Sequence, residues 1–294
     1  MDRLTAAPYA LLVMYAWDMC DINPRQIPPS VDARIADAGW TIVGYLSGSD
    51  DIVVSGLRLR SAVLSASTDE RNRVCYGYVA ERQGQFVAVI RGTDGAEEWG
   101  DDLDFLMTDH PHAGAGLVDQ GFWDIYRTMQ FHGVAGEAPV PIAAGIVKVT
   151  AGSPLMVLGH SLGSSLATYL TLDLNLATCH ASACLFASPR TGNQTFVDFF
   201  EATVSNYDVF NYERDVVPTV PKSDVLHFSR YYPLKQAKTI PVDPSGPQIR
   251  DNPLCNHHLI CYTALLDATA YEQAIADPHC SVDDHQCAEC VLRV

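Results

Sequence analysis

The chain has 294 residues, 48% of them hydrophobic and 18% charged, an ordinary globular composition with enough length for one large domain and a substantial core. Its 19 Lys and Arg stand against 35 Asp and Glu, and only four of the basic residues are Lys. A surface with a net charge of −16 repels phosphate backbones and anionic lipid head groups, which argues against nucleic acid as a partner and leaves neutral ligands open.

No apolar run reaches the ~20 residues needed to cross a bilayer. No linker, repeat or low-complexity tract divides the chain, so residues 1–294 read as a single domain. The first apolar segment, Leu4–Trp17, lies between Asp2 and Asp18, with only Arg3 as a basic leader and no clear small-x-small cleavage site. It predicts a packed helix over about 4–18 rather than a signal peptide, and leaves both a secreted and a cytoplasmic location open.

Arg73–Val79 and Gln85–Ile90 are short β-rich runs separated by Arg82-Gln83-Gly84-Gln85, the pattern of a hairpin. Further strands are expected at Pro154–Leu158, Cys184–Ala187 and Tyr207–Asn211. Helices are expected at Gly116–Met129, Pro141–Thr150, Leu162–Ala177 and Asn193–Val204; in the third, Leu162, Leu166, Ala167, Leu170 and Leu174 fall at helical spacing. Strands alternating with helices imply a central, mostly parallel sheet flanked by helices. The tract Tyr231–Pro253, rich in Pro, Gly and Asp, reads as a surface excursion without a period.

Nine cysteines are distributed unevenly. Cys20, Cys75, Cys179 and Cys184 sit among apolar neighbours and read as buried thiols. Cys255 and Cys261 flank a histidine pair. The tail, about 278–294, carries His279, Cys280, His285, Cys287 and Cys290. Thiolates and imidazoles suit zinc, but the spacing is irregular and half of a two-part pattern is missing, so disulfides and thiols are preferred and no metal is assigned.

The chemistry is concentrated at Gly159-His160-Ser161-Leu162-Gly163, between the strand at Pro154–Leu158 and the helix from Leu162. A G-x-S-x-G sequence in that context forms a strained elbow. The glycines permit the close packing, and the serine is lifted to the top of an α/β-hydrolase sheet beside a positive helix N-terminus. A serine hydroxyl needs a base, and the base needs a carboxylate to fix its tautomer. In this fold the order is serine, acid, histidine. Asp215, just beyond the strand Tyr207–Asn211, is the expected acid. Of the histidines downstream (His180, His227, His257, His258, His279 and His285), those before the cysteine tail and near the C-terminus are His257 and His258, between which spacing does not choose.

With these segments in view, the chain resembles the class 3 lipases, the fungal-type triacylglycerol lipase family of the α/β-hydrolase superfamily. The resemblance runs from about Arg73 to Leu266. It includes Val89-Ile90-Arg91-Gly92-Thr93, Glu98-Trp99-Gly100-Asp101-Asp102-Leu103, Gln120-Gly121-Phe122, the Ser161 pentapeptide and Phe186-Ala187-Ser188-Pro189-Arg190-Thr191-Gly192-Asn193. Asn211 with Asp215, Val217 and Pro218, and His257 with Leu259 and Tyr262, complete it. It implies Ser161 as nucleophile, Asp215 as orienting acid and His257 as base, with His258 the alternative. It further implies an oxyanion hole from the N–H groups of Thr93 and Leu162, and a short acidic lid over Asp94, Gly95, Ala96, Glu97, Glu98 and Trp99. Arg91 and His160 are expected to be structural. The implied activity is cofactor-free hydrolysis of neutral acylglycerols at a lipid–water interface, with a soluble short-chain or feruloyl-type esterase as the alternative and a non-catalytic scaffold as the remaining rival.

Overall fold

The computed structural model describes residues 1–49, 73–92, 106–222, 230–281 and 287–293. The chain begins with α1 (Arg3–Asp21), whose first turn is capped by the Asp2 carboxylate accepting from the Thr5 N–H at 2.8 Å. After α2 (Ala33–Asp37) come β1 (Thr41–Ser49), β2 (Arg73–Arg82) and β3 (Gln85–Ile90), each antiparallel to the next. The β2–β3 connection is Gln83-Gly84, both at positive φ, which is the two-residue turn that suits a twisted hairpin.

A short ribbon, β4 (Met107–Asp109) with β5 (Leu117–Asp119), leads into α3 (Gln120–Tyr126), and β6 (Gln130–Gly133) and β7 (Val140–Pro141) extend the sheet beyond β1. The repeating unit then takes over as α4 (Ile142–Thr150), β8 (Leu155–His160), α5 (Leu162–Leu176), β9 (Ala181–Phe186), α6 (Gln194–Thr203), β10 (Tyr207–Tyr212) and β11 (Ala237–Ile240). Last come β12 (Gln248–Ile249), α7 (Pro253–His257), α8 (Leu259–Leu266), α9 (Ala268–Ala276) and β13 (Val291–Arg293), which pairs with β12.

Among the described residues the main sheet has nine strands in the order β11-β10-β9-β8-β3-β2-β1-β6-β7. It runs parallel from β11 to β3 and antiparallel beyond, a mixed sheet of the α/β class. Strand periodicity divides the core into two layers. On β3 and β8, Ala88, Ile90, Leu155 and Val157 pack against α5 and α6, whereas Val87, Val89 and Leu158 pack against α1 and α8.

Three expectations need correction. The helix read over Gly116–Met129 is shortened by β5, because the Asp119 side chain accepts from the Phe122 N–H at 2.9 Å and caps α3 at Gln120. The tract Tyr231–Pro253 is not wholly irregular. It contributes β11, an exposed edge strand in which only Ile240 is buried and which therefore has no apolar alternation to read. Cys20 and Cys75 are not thiols but a disulfide, and a second disulfide joins Cys255 to Cys290. The sequence carries no information on such connectivity. Cys179, Cys184 and Cys261 are buried thiols.

Candidate active site

The end of β8 and the start of α5 meet at Ser161, which has φ 58° and ψ −129°. That backbone is strained for any residue with a Cβ and persists only where the surroundings enforce it. Here they do. The Ser161 N–H donates to the Phe186 carbonyl at 3.0 Å, and its own carbonyl accepts from the Ser164 N–H at 2.9 Å. A Cβ at Gly159 would lie 2.4 Å from the Gly163 carbonyl oxygen, and one at Gly163 would lie 2.4 Å from the Ile90 carbonyl oxygen. Both glycines are therefore required for the close approach of β8, α5 and β3. Leu162 opens α5, so its N–H belongs to the first turn, whose donors have no intrahelical acceptor and face the positive end of the dipole.

Asp215 follows β10 and is buried. Its Oδ1 accepts from the Val217 N–H at 3.0 Å, while Oδ2 accepts from His257 Nδ1 at 2.9 Å and from the Tyr262 hydroxyl at 2.7 Å. A carboxylate accepting from Nδ1 requires the proton on that nitrogen, which leaves Nε2 as the acceptor of the neutral ring. Tyr262 in turn accepts from the Tyr212 N–H at 2.9 Å, tying α8 to β10. The sequence motif contained Tyr262 but gave it no role; a tyrosine five residues after the histidine is the only trace of this contact.

The two adjacent histidines diverge because α7 stops between them. His257 is its last residue and turns inward to Asp215. His258 has ψ 134° and lies elsewhere, its Nδ1 3.4 Å from Cys287 Sγ. His160 contacts the same element: its Nε2–H donates to the His257 carbonyl at 2.9 Å, and the two rings lie 4.8 Å apart. Burial, reinforced by the neighbouring His257, holds the His160 imidazole well below the usual histidine range, so that ring is neutral.

Ser161 Oγ and His257 Nε2 are both buried and make no hydrogen bond among the described residues. Buried polar atoms in that condition are uncommon and call for an explanation. Thr93 and the lid stretch Asp94, Gly95, Ala96, Glu97, Glu98 and Trp99 lie outside the described residues, as do His227 and His285. No group of three metal-ligating side chains is arranged for an ion among the described residues, and Cys290 of the tail is held in its disulfide. No helix among them is long and apolar enough to cross a membrane.

Comparison with known proteins bears on this arrangement. The profile of the family described as Lipase (class 3) matches residues 87–225, a span that includes Gly92, the Ser161 elbow and Asp215 and ends before His257. A lipase of Rhizomucor miehei is 27% identical over 195 residues, covering 62% of this chain and 50% of its own. Phospholipase A1-II 6 of Oryza sativa subsp. japonica is 28% identical over 265 residues, covering 76% and 62%. A solved structure of a mono- and diacylglycerol lipase from Aspergillus oryzae, 21% identical, covers 69% of this chain and 64% of its own with a TM-score of 0.48. The chain spans about half the length of the first curated relatives it matches. The segment 87–225, which carries the serine elbow and its neighbouring strands, is thus similar to the class 3 lipases.

Proposed function

We propose that the protein is a serine carboxylic ester hydrolase, with Ser161 as nucleophile, His257 as base and Asp215 as the orienting acid, acting on acylglycerols. The observation that carries the proposal is the pair of buried atoms without hydrogen bonds among the described residues, Ser161 Oγ and His257 Nε2, behind a His257–Asp215 contact of 2.9 Å. These are the two atoms that such a reaction must leave available.

In the proposed reaction, Ser161 Oγ attacks the ester carbonyl as its proton passes to His257 Nε2. Asp215 steadies the imidazolium, and His257 returns the proton to the departing alcohol. Water, deprotonated by His257, then attacks the acyl-enzyme and releases the acid. The Leu162 N–H, with that of Thr93, would stabilise the oxyanion. The family supports acylglycerols as the substrate class, and the acidic surface is compatible with neutral lipids.

Hydrolysis of short- and long-chain p-nitrophenyl esters, below and above the solubility limit, tests the reading. A preference for aggregated long-chain ester supports lipase behaviour; activity confined to soluble short-chain ester makes the protein an esterase. Ser161→Ala is expected to lower kcat by at least about 10³-fold. His257→Ala should do the same while His258→Ala keeps most of the activity. An active Ser161→Ala enzyme would refute the assignment.

A further inference from the structure

The tail carries Cys287-Ala288-Glu289-Cys290, two cysteines three residues apart that the proposed hydrolysis does not use. They share one turn, closed by the Cys290 N–H donating to the Cys287 carbonyl at 3.0 Å. Side chains three apart on such a turn are neighbours, at a separation that suits a disulfide. Yet Cys290 is bonded to Cys255, while Cys287 keeps its thiol. That thiol is partly exposed, and its Sγ lies 3.4 Å from His258 Nδ1. An imidazole at that distance takes up the thiol proton, and the thiolate is the form that attacks a disulfide. Cys261, near enough to sense the Cys287 charge, is a poor attacker: it is fully buried, and burial pushes its thiol well above the usual range.

The two ends of the Cys255–Cys290 bond are anchored unequally. Cys290 has other fastenings. Its carbonyl accepts from the Arg250 N–H at 2.7 Å, the Tyr271 hydroxyl donates to the Ala288 carbonyl at 3.3 Å, and β13 pairs with β12. Cys255 lies in α7, a helix of five residues, too short to persist without tertiary contacts. α7 ends at His257, whose ring meets Asp215. The disulfide therefore ties the carrier of His257 to a segment that has its own hold on the fold.

We propose that Cys287 exchanges with this disulfide, so that one isomer fastens α7 and the other releases it. His258 takes the Cys287 proton, and the thiolate attacks Cys290 Sγ. The Cys287–Cys290 bond forms as the Cys255–Cys290 bond breaks, and Cys255 leaves as a thiolate that regains a proton from His258 through solvent. One disulfide and one thiol stand on each side, so no external oxidant or reductant takes part. In the released isomer α7 has no covalent tie, and His257 is held less firmly against Asp215, which lowers turnover. That consequence rests on His257 being the base; the exchange itself does not.

The test uses the full chain. Wild type, Cys287→Ser and His258→Ala are incubated without added thiol at about pH 8, alkylated with iodoacetamide and cleaved after Asp and Glu. Cleavage at Glu289 separates Cys287 from Cys290, so mass spectrometry reads which partner Cys290 holds. Wild type is expected to yield chains with Cys287 joined to Cys290 and Cys255 alkylated. Cys287→Ser should yield none, and His258→Ala should form them about tenfold more slowly, having lost the proton acceptor. Cys255→Ser, with Cys287–Cys290 closed by oxidised glutathione, reproduces the released isomer. Its kcat is expected to fall about tenfold with KM changed less than about threefold, whereas Cys287→Ser should hydrolyse ester within about twofold of wild type. Cys255–Cys290 in every wild-type chain after about a day would overturn the exchange, and this result decides the matter even if Cys255→Ser does not fold. A Cys255→Ser kcat within about twofold of wild type would overturn the coupling to α7. Failure of the wild-type protein to hydrolyse any ester would instead remove the reading of His257 and leave the linkage result standing.

Discussion

Asp215 holds its place through three donors from three parts of the chain: the Val217 N–H, His257 Nδ1 and the Tyr262 hydroxyl. Tyr262 adds a fourth link by accepting from the Tyr212 N–H, so its removal would strand a buried donor and loosen the acid together. Tyr262→Phe is therefore expected to cost about 1–3 kcal/mol of stability, read by denaturant unfolding, and about tenfold in kcat with little change in KM. A variant that matched wild type in both would show the hydroxyl to be ornamental. At this scale Ser161 and Asp215 could be proposed from the sequence as nucleophile and acid, because each sits in a local pattern that such chemistry would impose. The proposed base could be narrowed by spacing only to a pair, since the end of α7 that separates His257 from His258 leaves no mark in composition or spacing. The Tyr262–Asp215 contact spans 47 residues, and nothing local announces it.

Elements set the geometry that residues use. The β8–α5 elbow is closed by contacts between backbones, and Gly163 is where a side chain would collide with two carbonyls at and just beyond the end of β3, Ile90 at 2.4 Å and Arg91 at 2.5 Å. Backbone cannot swing aside as a flexible side chain does. Gly163→Ala is expected to destabilise the fold by about 1–3 kcal/mol, measured by thermal unfolding, and to lower kcat beyond that loss of folded protein by moving β3 away from Ser161. Unchanged stability would mean that β3 and α5 have more room than these distances allow. The strand–elbow–helix unit was legible because a buried apolar run, two obligatory glycines and a helical repeat occur in succession. Where those signals are weak the reading failed. β11 is an edge strand with one buried residue, β5 is three residues long, and β1 was not recognised although it pairs with both β2 and β6.

For the whole molecule, burial of titratable groups couples stability to pH. The His110 ring packs against Trp123 at 4.8 Å, and burial pushes its pKa down to about 4. The unfolded chain takes up a proton near pH 6.5 that the fold refuses, so His110 contributes stability above that pH and loses it as pH falls toward 4. His160 acts in the same direction. Asp119 acts in the opposite one: burial raises it to about 6, so the fold retains a proton that the unfolded chain has released, and that contribution is lost as pH rises through 6. His110→Phe, which keeps an aromatic ring against Trp123, is expected to lose less melting temperature than wild type between about pH 7 and about pH 5. Parallel declines would show that His110 does not control acid stability. The layered α/β plan was legible at this scale from alternation alone, whereas the two disulfides were not, because pairing depends on where α1 and the tail dock.

The backbone of Ser161 has a consequence for the molecule as an evolving object. Its positive φ is a burden of roughly 1–3 kcal/mol, and a buried hydroxyl without a partner among the described residues adds to it. Glycine would relieve both and end the proposed chemistry. A search that rewarded heat tolerance alone would thus be drawn to position 161 and, with Ser161 as the proposed nucleophile, is expected to abolish activity there, so thermostability is safely improved only where activity is scored in the same round.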